Sequence, residues 1–196
     1  MDRWNVGLHK RHGTEEKTAA RCNGVGGGSY GQRYRRWTAP LRTNPAYMTA
    51  LRRLDNLLKL LFYGPYGVLA LVVVLEGASL KLVPLGLIPA AGFGLLSLVR
   101  RRLNRPRPYE LYDLNPLIER DGSGESFPSR HAFSAFTIAA AWFATAPLVA
   151  TFLLVAACLV GVCRVLGGVH FPRDVVAGAL AGVVTGTLTA VAIAVL

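Results

Sequence analysis

Acidic side chains are scarce in this sequence: 11 Asp and Glu stand against 22 Lys and Arg in 196 residues, for a formal net charge of +11. The deficit is uneven. Residues 1–63 carry twelve Lys and Arg against four Asp and Glu, and residues 64–196 carry ten against seven. So basic a chain seeks an anionic surface, and a membrane fits better than nucleic acid, because no recognisable nucleic-acid reading module accompanies the charge. Cysteine is scarcer still. Cys22, Cys158 and Cys163 are odd in number and lack zinc-type spacing, which excludes a disulfide framework or a cysteine metal centre. The first residues also lack the short apolar core of a cleaved signal peptide. Charge itself nearly vanishes from residues 132–196, where Arg164, His170, Arg173 and Asp174 are the only ionisable Asp, Glu, Lys, Arg or His.

What is present is apolar. Hydrophobic residues make up 52% of the chain and its mean hydropathy is +0.36, the profile of an integral membrane protein. Residues 1–47 are polar, basic and glycine-rich, with GVGGGSYG at 24–31, and are expected to be a disordered extension that the domain at 48–196 can do without. Met48 opens a run that looks more like the start of a membrane protein than Met1 does. Leu51, Leu54, Leu57, Leu58 and Leu61, with Arg52, Arg53, Asp55 and Lys59 between them, predict an amphipathic helix over 49–63 lying on the membrane surface. Spans are predicted at about 65–80, 82–99, 131–146, 148–162 and 174–196, so the fold class is an all-α, multi-pass transmembrane bundle of about five spans. The third and fourth are short for a bilayer crossing, which calls for a hairpin buried among other helices or a locally thin membrane. Gly178 and Gly182 form a GxxxG pair suited to close helix packing. Nothing in the sequence selects an oligomeric state.

Five crossings bring three polar segments to one membrane face: 100–130, the start of the third span, and the approach to the fifth. By the positive-inside rule this face is predicted to be cytoplasmic. Ionisable groups in so hydrophobic a setting mark a functional site. His170 and Asp174, four apart, share a helix face, so the carboxylate can hold one imidazole nitrogen and leave the other to attack.

The three segments are Arg100-x6-Arg107-Pro108, Pro128-Ser129-Arg130-His131 and Cys163-Arg164-x5-His170-x3-Asp174. In order, spacing and placement they resemble the tripartite signature of the type 2 phosphatidic acid phosphatase and vanadium haloperoxidase superfamily: Lys-x6-Arg-Pro, Pro-Ser-Gly-His and Ser-Arg-x5-His-x3-Asp. Arg100 stands for Lys, Arg130 for Gly and Cys163 for Ser. The resemblance implies a membrane lipid phosphatase acting on a phosphomonoester or pyrophosphate of a lipid, with lipid phosphate and membrane lipids as partners, no nucleic acid, and neither metal nor cofactor. It implies His170 as nucleophile, Asp174 as its orienting carboxylate, and His131 as acid and base. Arg100, Arg107, Arg164, Ser129 and the backbone amide of Arg130 would bind phosphate. Transfer spreads negative charge over three equatorial oxygens, and a cage of guanidinium groups suits that chemistry. Members of the family often face the outer side, against the charge-based topology. Two rival readings are a phosphate- or lipid-binding membrane protein or transporter without catalysis, and a haloperoxidase, for which the chain is too short and apolar. The side chains of Arg105, Arg130 and Arg173 are expected to meet lipid headgroups. Glu110, Asp113, Glu119, Asp121 and Glu125 are expected to be solvated loop acids.

Overall fold

The computed structural model describes residues 29–112, 114–118 and 123–196. The expectation of disorder for residues 1–28, and the readings of Asp113, Glu119 and Asp121, lie outside these described residues. Among the described residues seven α-helices follow one another: α1 (Ser29–Thr43), α2 (Pro45–Leu75), α3 (Leu82–Leu103), α4 (Pro108–Tyr112), α5 (Arg130–Ala141), α6 (Pro147–Leu166) and α7 (Pro172–Val195). Short 3-10 turns precede α3 and prolong α5. Among the described residues there is no strand.

Local chemistry sets the boundaries. Pro45, Pro147 and Pro172 sit in the first helical turn, where a missing N–H costs nothing. Asn44 caps α2 by accepting from the Ala46 amide at 2.9 Å. Asn104 stops α3 in a left-handed conformation (φ 37°), its N–H closing on the Arg100 carbonyl at 2.9 Å. The segment carrying the basic motif therefore leaves the bundle directly after its first arginine.

Among the described residues four stretches, Pro45–Leu75, Ser79–Tyr112, Pro147–Leu166 and Pro172–Val195, are long and apolar enough to cross a membrane. The expected third span is different. α5 has only 12 residues, about 18 Å of rise, and it survives by being enclosed: Ala132, Phe133, Ala135, Thr137 and Ala139 are all buried. Its main neighbours are α7 and α6. Contact with α7 is backbone to backbone, because a Cβ on Gly178, Gly182 or Gly186 would lie 2.4 Å from the carbonyl oxygen of Ser129, Phe133 or Thr137 respectively. Glycine at every fourth position thus presents one smooth groove to one carbonyl per turn of α5, and the GxxxG pair serves packing within the chain.

Two expectations for the first third of the chain are corrected. The interfacial helix at 49–63 and the span at 65–80 are one continuous helix, α2, of 31 residues. Pro65 does not break it, because the buried stripe Leu51, Asp55, Leu58, Phe62, Leu69 and Val73 keeps its three-and-four spacing straight through that position. Residues 29–43 and 45–47, expected to be disordered, are helical, with Asn44 between them as a cap. α1 has no apolar periodicity to announce it and is held by a few long-range polar and aromatic contacts. The Tyr34 hydroxyl donates to the Leu166 carbonyl at 2.9 Å, and Arg42 donates to the Asn115 carbonyl. The Tyr30 ring packs on Phe171 with centroids 5.0 Å apart. At about 1 kcal/mol for each such contact, a chain beginning at Met48 is expected to be about 3 kcal/mol less stable than one beginning at Ser29. Thermal melting of the two in the same detergent measures this; coincident melting curves would show α1 to be an ornament.

Candidate active site

The N-termini of α5 and α7 lie side by side, joined by the Ser129 amide donating to the Asp174 carbonyl at 2.9 Å. That pairing brings the second and third motif segments together. Ser129 is the N-cap of α5, its Oγ 3.5 Å from the Ala132 amide, and is fully buried. His131 follows in the first turn. Asp174 sits in the first turn of α7 and accepts from the Phe171 amide at 3.1 Å and from the Ser126 hydroxyl. The same Oδ2 stands 3.8 Å from His170 Nδ1, with both side chains 1% exposed. Asp174 therefore faces the imidazole from a position fixed by two other donors. Burial draws the His170 pKa down to about 4, against the pull of Asp174, and the positive charges of Arg107 and Arg100 add to the fall. The ring is therefore neutral at pH 7.

The three arginines of the signature are all buried, and each ties backbone to the site. Arg100, at the end of α3, donates to the carbonyls of Glu125, Ser126 and Pro128. Arg107 donates to Gly124 at 2.9 Å, to Glu125 at 3.3 Å and to Val169 at 3.1 Å, so it spans from the loop before α5 to the loop before α7. Arg164 pairs with Asp55 of α2, and its carbonyl takes the His170 amide at 3.3 Å. A guanidinium has five donors in a fixed fork, so each arginine can gather carbonyls and still present an edge to an anion.

A cavity of about 400 Å³ is bordered by Arg100, His131 and His170, with Arg107, Arg164, Ser129 and Asp174 set behind its lining. Its polar wall is His131, His170, Arg100, Arg130 and Lys59, and its apolar wall includes Phe62, Phe93, Ile138 and Val160. The two histidines thus border one space, with a guanidinium beside them and hydrocarbon opposite. That is the layout for an amphiphile whose anionic head enters a polar end. Among the described residues no group of three His, Cys, Asp or Glu gathers at metal-binding range.

Most expected site residues converge, but some details change. The Arg130 side chain, 38% exposed, pairs with Glu125 at 3.2 Å and lines the cavity. Arg105 and Arg173 stack over Phe127 and Phe171, each 4.9 Å from the ring centroid. Glu110 and Glu125 are working parts and not solvated acids. Glu110 accepts from the Gly124 amide at 2.7 Å and the Arg107 amide at 3.2 Å, folding the loop over Arg107, and Glu125 neutralises Arg130. The sequence reading missed the parts played by Asp55, Lys59, Ser126, Glu110 and Glu125. Ser126 lies three residues before a motif serine in a loop without period, and nothing marks it. Asp55 carried a signal: it falls on the buried stripe of α2, at the spacing of Leu51 and Leu58, where an acid demands a partner.

Comparison with known proteins places this geometry. Over 104 residues the chain is 33% identical to a lipid A 1-phosphatase of Rhizobium johnstonii, covering 51% of this chain and 43% of that protein. It is 41% identical over 75 residues to the bacitracin transport permease protein BcrC of Bacillus licheniformis, covering 38% and 36%. The chain thus spans less than half the length of the curated relatives it matches. Among solved structures, LpxE of Aquifex aeolicus superposes with a TM-score of 0.52 at 29% identity, over 72% of this chain and 92% of that one. The transmembrane PAP2-type phosphatidylglycerolphosphate phosphatase of Bacillus subtilis shares the fold, with a TM-score of 0.60 at 21% identity over 93% and 94%. A family model described as the PAP2 superfamily matches residues 81–195, which is more than half of the chain and takes in all three motif segments, so the chain belongs to the PAP2 superfamily.

Proposed function

We propose that this protein is a membrane lipid phosphatase that removes a terminal phosphate from a lipid mono- or diphosphate through a phosphohistidine. The observation that carries the reading is the shared cavity: two imidazoles and the Arg100 guanidinium border one space whose other wall is apolar. In this scheme the phosphate enters the polar end and its charge is met by Arg100, Arg107 and Arg164, with the Ser129 hydroxyl and the Arg130 amide as further donors. His170 Nε2 attacks phosphorus in line, while Asp174 beside Nδ1 steadies the ring as it becomes positive. The bond from phosphorus to the lipid oxygen breaks, and His131 gives that oxygen a proton. His131 then takes a proton from water, whose oxygen displaces His170 from phosphorus and releases orthophosphate. Each step uses side chains of this chain alone.

The test is phosphate release by the purified protein from detergent-dispersed phosphatidate and polyprenyl phosphates, in the presence of EDTA, across pH. Release that persists in chelator supports the reading. Phosphate binding without turnover points instead to a non-catalytic binder. The acid side of the profile is specific. Because the folded pKa of His170 is near 4, the nucleophile stays neutral through pH 5–7 and its protonation is expected to cut the rate only below about pH 4.5. Stability follows the same sign. The unfolded imidazole takes a proton near 6.5 and the folded one near 4, so the contribution of His170 is whole above 6.5 and declines as pH falls toward 4. A His170 ring titrating near 6.5 in the folded protein, read by NMR, contradicts both statements.

A further inference from the structure

Lys59 lies outside all three motif segments, yet it lines the same cavity as His131, His170 and Arg100. Successive turns of α2 carry Asp55, Lys59, Phe62 with Tyr63, and Tyr66 along one side, charged first and aromatic after. α5 repeats the order: His131 in its first turn, then Ser134, then Ile138. Both helices thus step from the reacting end of the cavity into a second groove of about 310 Å³, lined by Tyr66, Pro89 and Phe133 and sharing Phe93, Ser134 and Ile138 with the first. At 1.5 Å per residue, Lys59 is about 6 Å along α2 from Asp55, and Tyr66 is about 10 Å further on. Lys59 therefore puts a cation on α2 between the phosphate end and the aromatic tail end.

Its ammonium is also held in place. Lys59 Nζ lies 2.8 Å from Asp55 Oδ2 and 2.9 Å from Asn56 Oδ1. The other Asp55 oxygen takes Arg164. An i,i+4 pair on an open helix face is worth a few tenths of a kcal/mol and asks for no ligand. This one differs, because its carboxylate is 2% exposed and shared with a motif arginine, so that the one-third-exposed lysine is tied by an ion pair to a buried arginine while its ammonium faces the cavity.

We infer that Lys59 binds a second anionic group of the substrate, set between the scissile phosphate and the lipid tail, and that the substrate class is accordingly a lipid diphosphate. The inference rests on the phosphatase reading above. His170 then attacks the outer phosphorus, the bond from that phosphorus to the bridging oxygen breaks, and the leaving group is a lipid monophosphate. Lys59 meets the charge that develops on the inner phosphate as it departs. Water completes the cycle, giving orthophosphate and the lipid monophosphate as products.

Two measurements on the full-length protein in detergent test this. Lys59→Gln is expected to lower the ratio of kcat/KM for farnesyl diphosphate over farnesyl phosphate by about tenfold, and Lys59→Arg to restore most of it. An unchanged ratio overturns the inference, because a purely structural lysine would depress both substrates alike. Calorimetry with methylenediphosphonate and methylphosphonate supplies a readout free of turnover. The wild-type protein is expected to bind the diphosphonate about tenfold more tightly, with the margin erased by Lys59→Gln. Equal wild-type affinity for the two overturns the second-anion site even where the variant cannot be purified. A preserved margin with no turnover of either farnesyl ester sinks the phosphatase reading alone.

Discussion

Replacing His170 by alanine is expected to lower phosphate release by a factor on the order of 10⁴ or more, or over 5 kcal/mol of barrier. The substitution removes the proposed nucleophile, and the cavity offers no second one at that position. It does not remove the scaffold. Asp174 keeps the Ser126 hydroxyl and the Phe171 amide, and the loop before α7 keeps the bond from Arg107 to Val169. The melting temperature should therefore move little while turnover disappears. His131→Ala provides the contrast. In the proposed scheme His131 serves the leaving group and the water, so its loss should hurt least with an activated ester such as p-nitrophenyl phosphate, whereas His170→Ala should be equally inert toward every ester. More than about one per cent of wild-type turnover in purified His170→Ala would leave the phosphohistidine scheme without support.

The second large effect is on stability and comes from a residue with no chemistry. Gly182→Leu is expected to abolish the folded state in detergent, at a cost above about 4 kcal/mol. Even a Cβ at this position would lie 2.4 Å from the Phe133 carbonyl oxygen and 3.1 Å from the Thr137 amide nitrogen. Those atoms are α5 backbone and cannot swing aside, so the two helices must part. Gly178→Ala acts at the site end of the same groove, where the Ser129 carbonyl is 2.4 Å from the new carbon. It is expected to lower activity more than stability, because it separates the Ser129 amide from the Asp174 carbonyl. Gly94→Ala is the control: nothing lies within 4 Å of its added carbon, and alanine is the better helix former by about 1 kcal/mol. Melting curves and activity of the three variants side by side separate these outcomes. Equal tolerance at Gly182 and Gly94 would refute the groove.

Legibility in the sequence differed by kind of residue. His131, His170, Asp174, Arg100, Arg107, Arg164 and Ser129 were readable, because charge and polarity in an apolar chain are conspicuous and their spacing is repeated in a known signature. α7 was equally plain, since Pro172, Asp174 and an unbroken apolar run write a helix start and a long span. α1 was not, because a helix held by Tyr34 and Arg42 through distant carbonyls leaves no periodic trace. The joining of 49–63 to 65–80 was hidden by Pro65, whose local rule argues for a break, while the buried stripe that overrides it acquires meaning only once there is a bundle to bury it.

From the sequence alone came the membrane habit, the three motif segments, their arrival at one end of a helical bundle and the chemistry they imply. Composition and local periodicity carry the membrane habit, and the resemblance of the motif spacing to a known signature carries the chemistry; both belong to the chain before it folds. The tertiary structure decided what each arginine touches, that Asp55 and Lys59 of α2 join the site, that a 12-residue helix can stand inside the bundle, and that the glycines of α7 face α5. Those facts depend on which distant surfaces meet, and packing is settled by the sum of many contacts that no single stretch of residues contains.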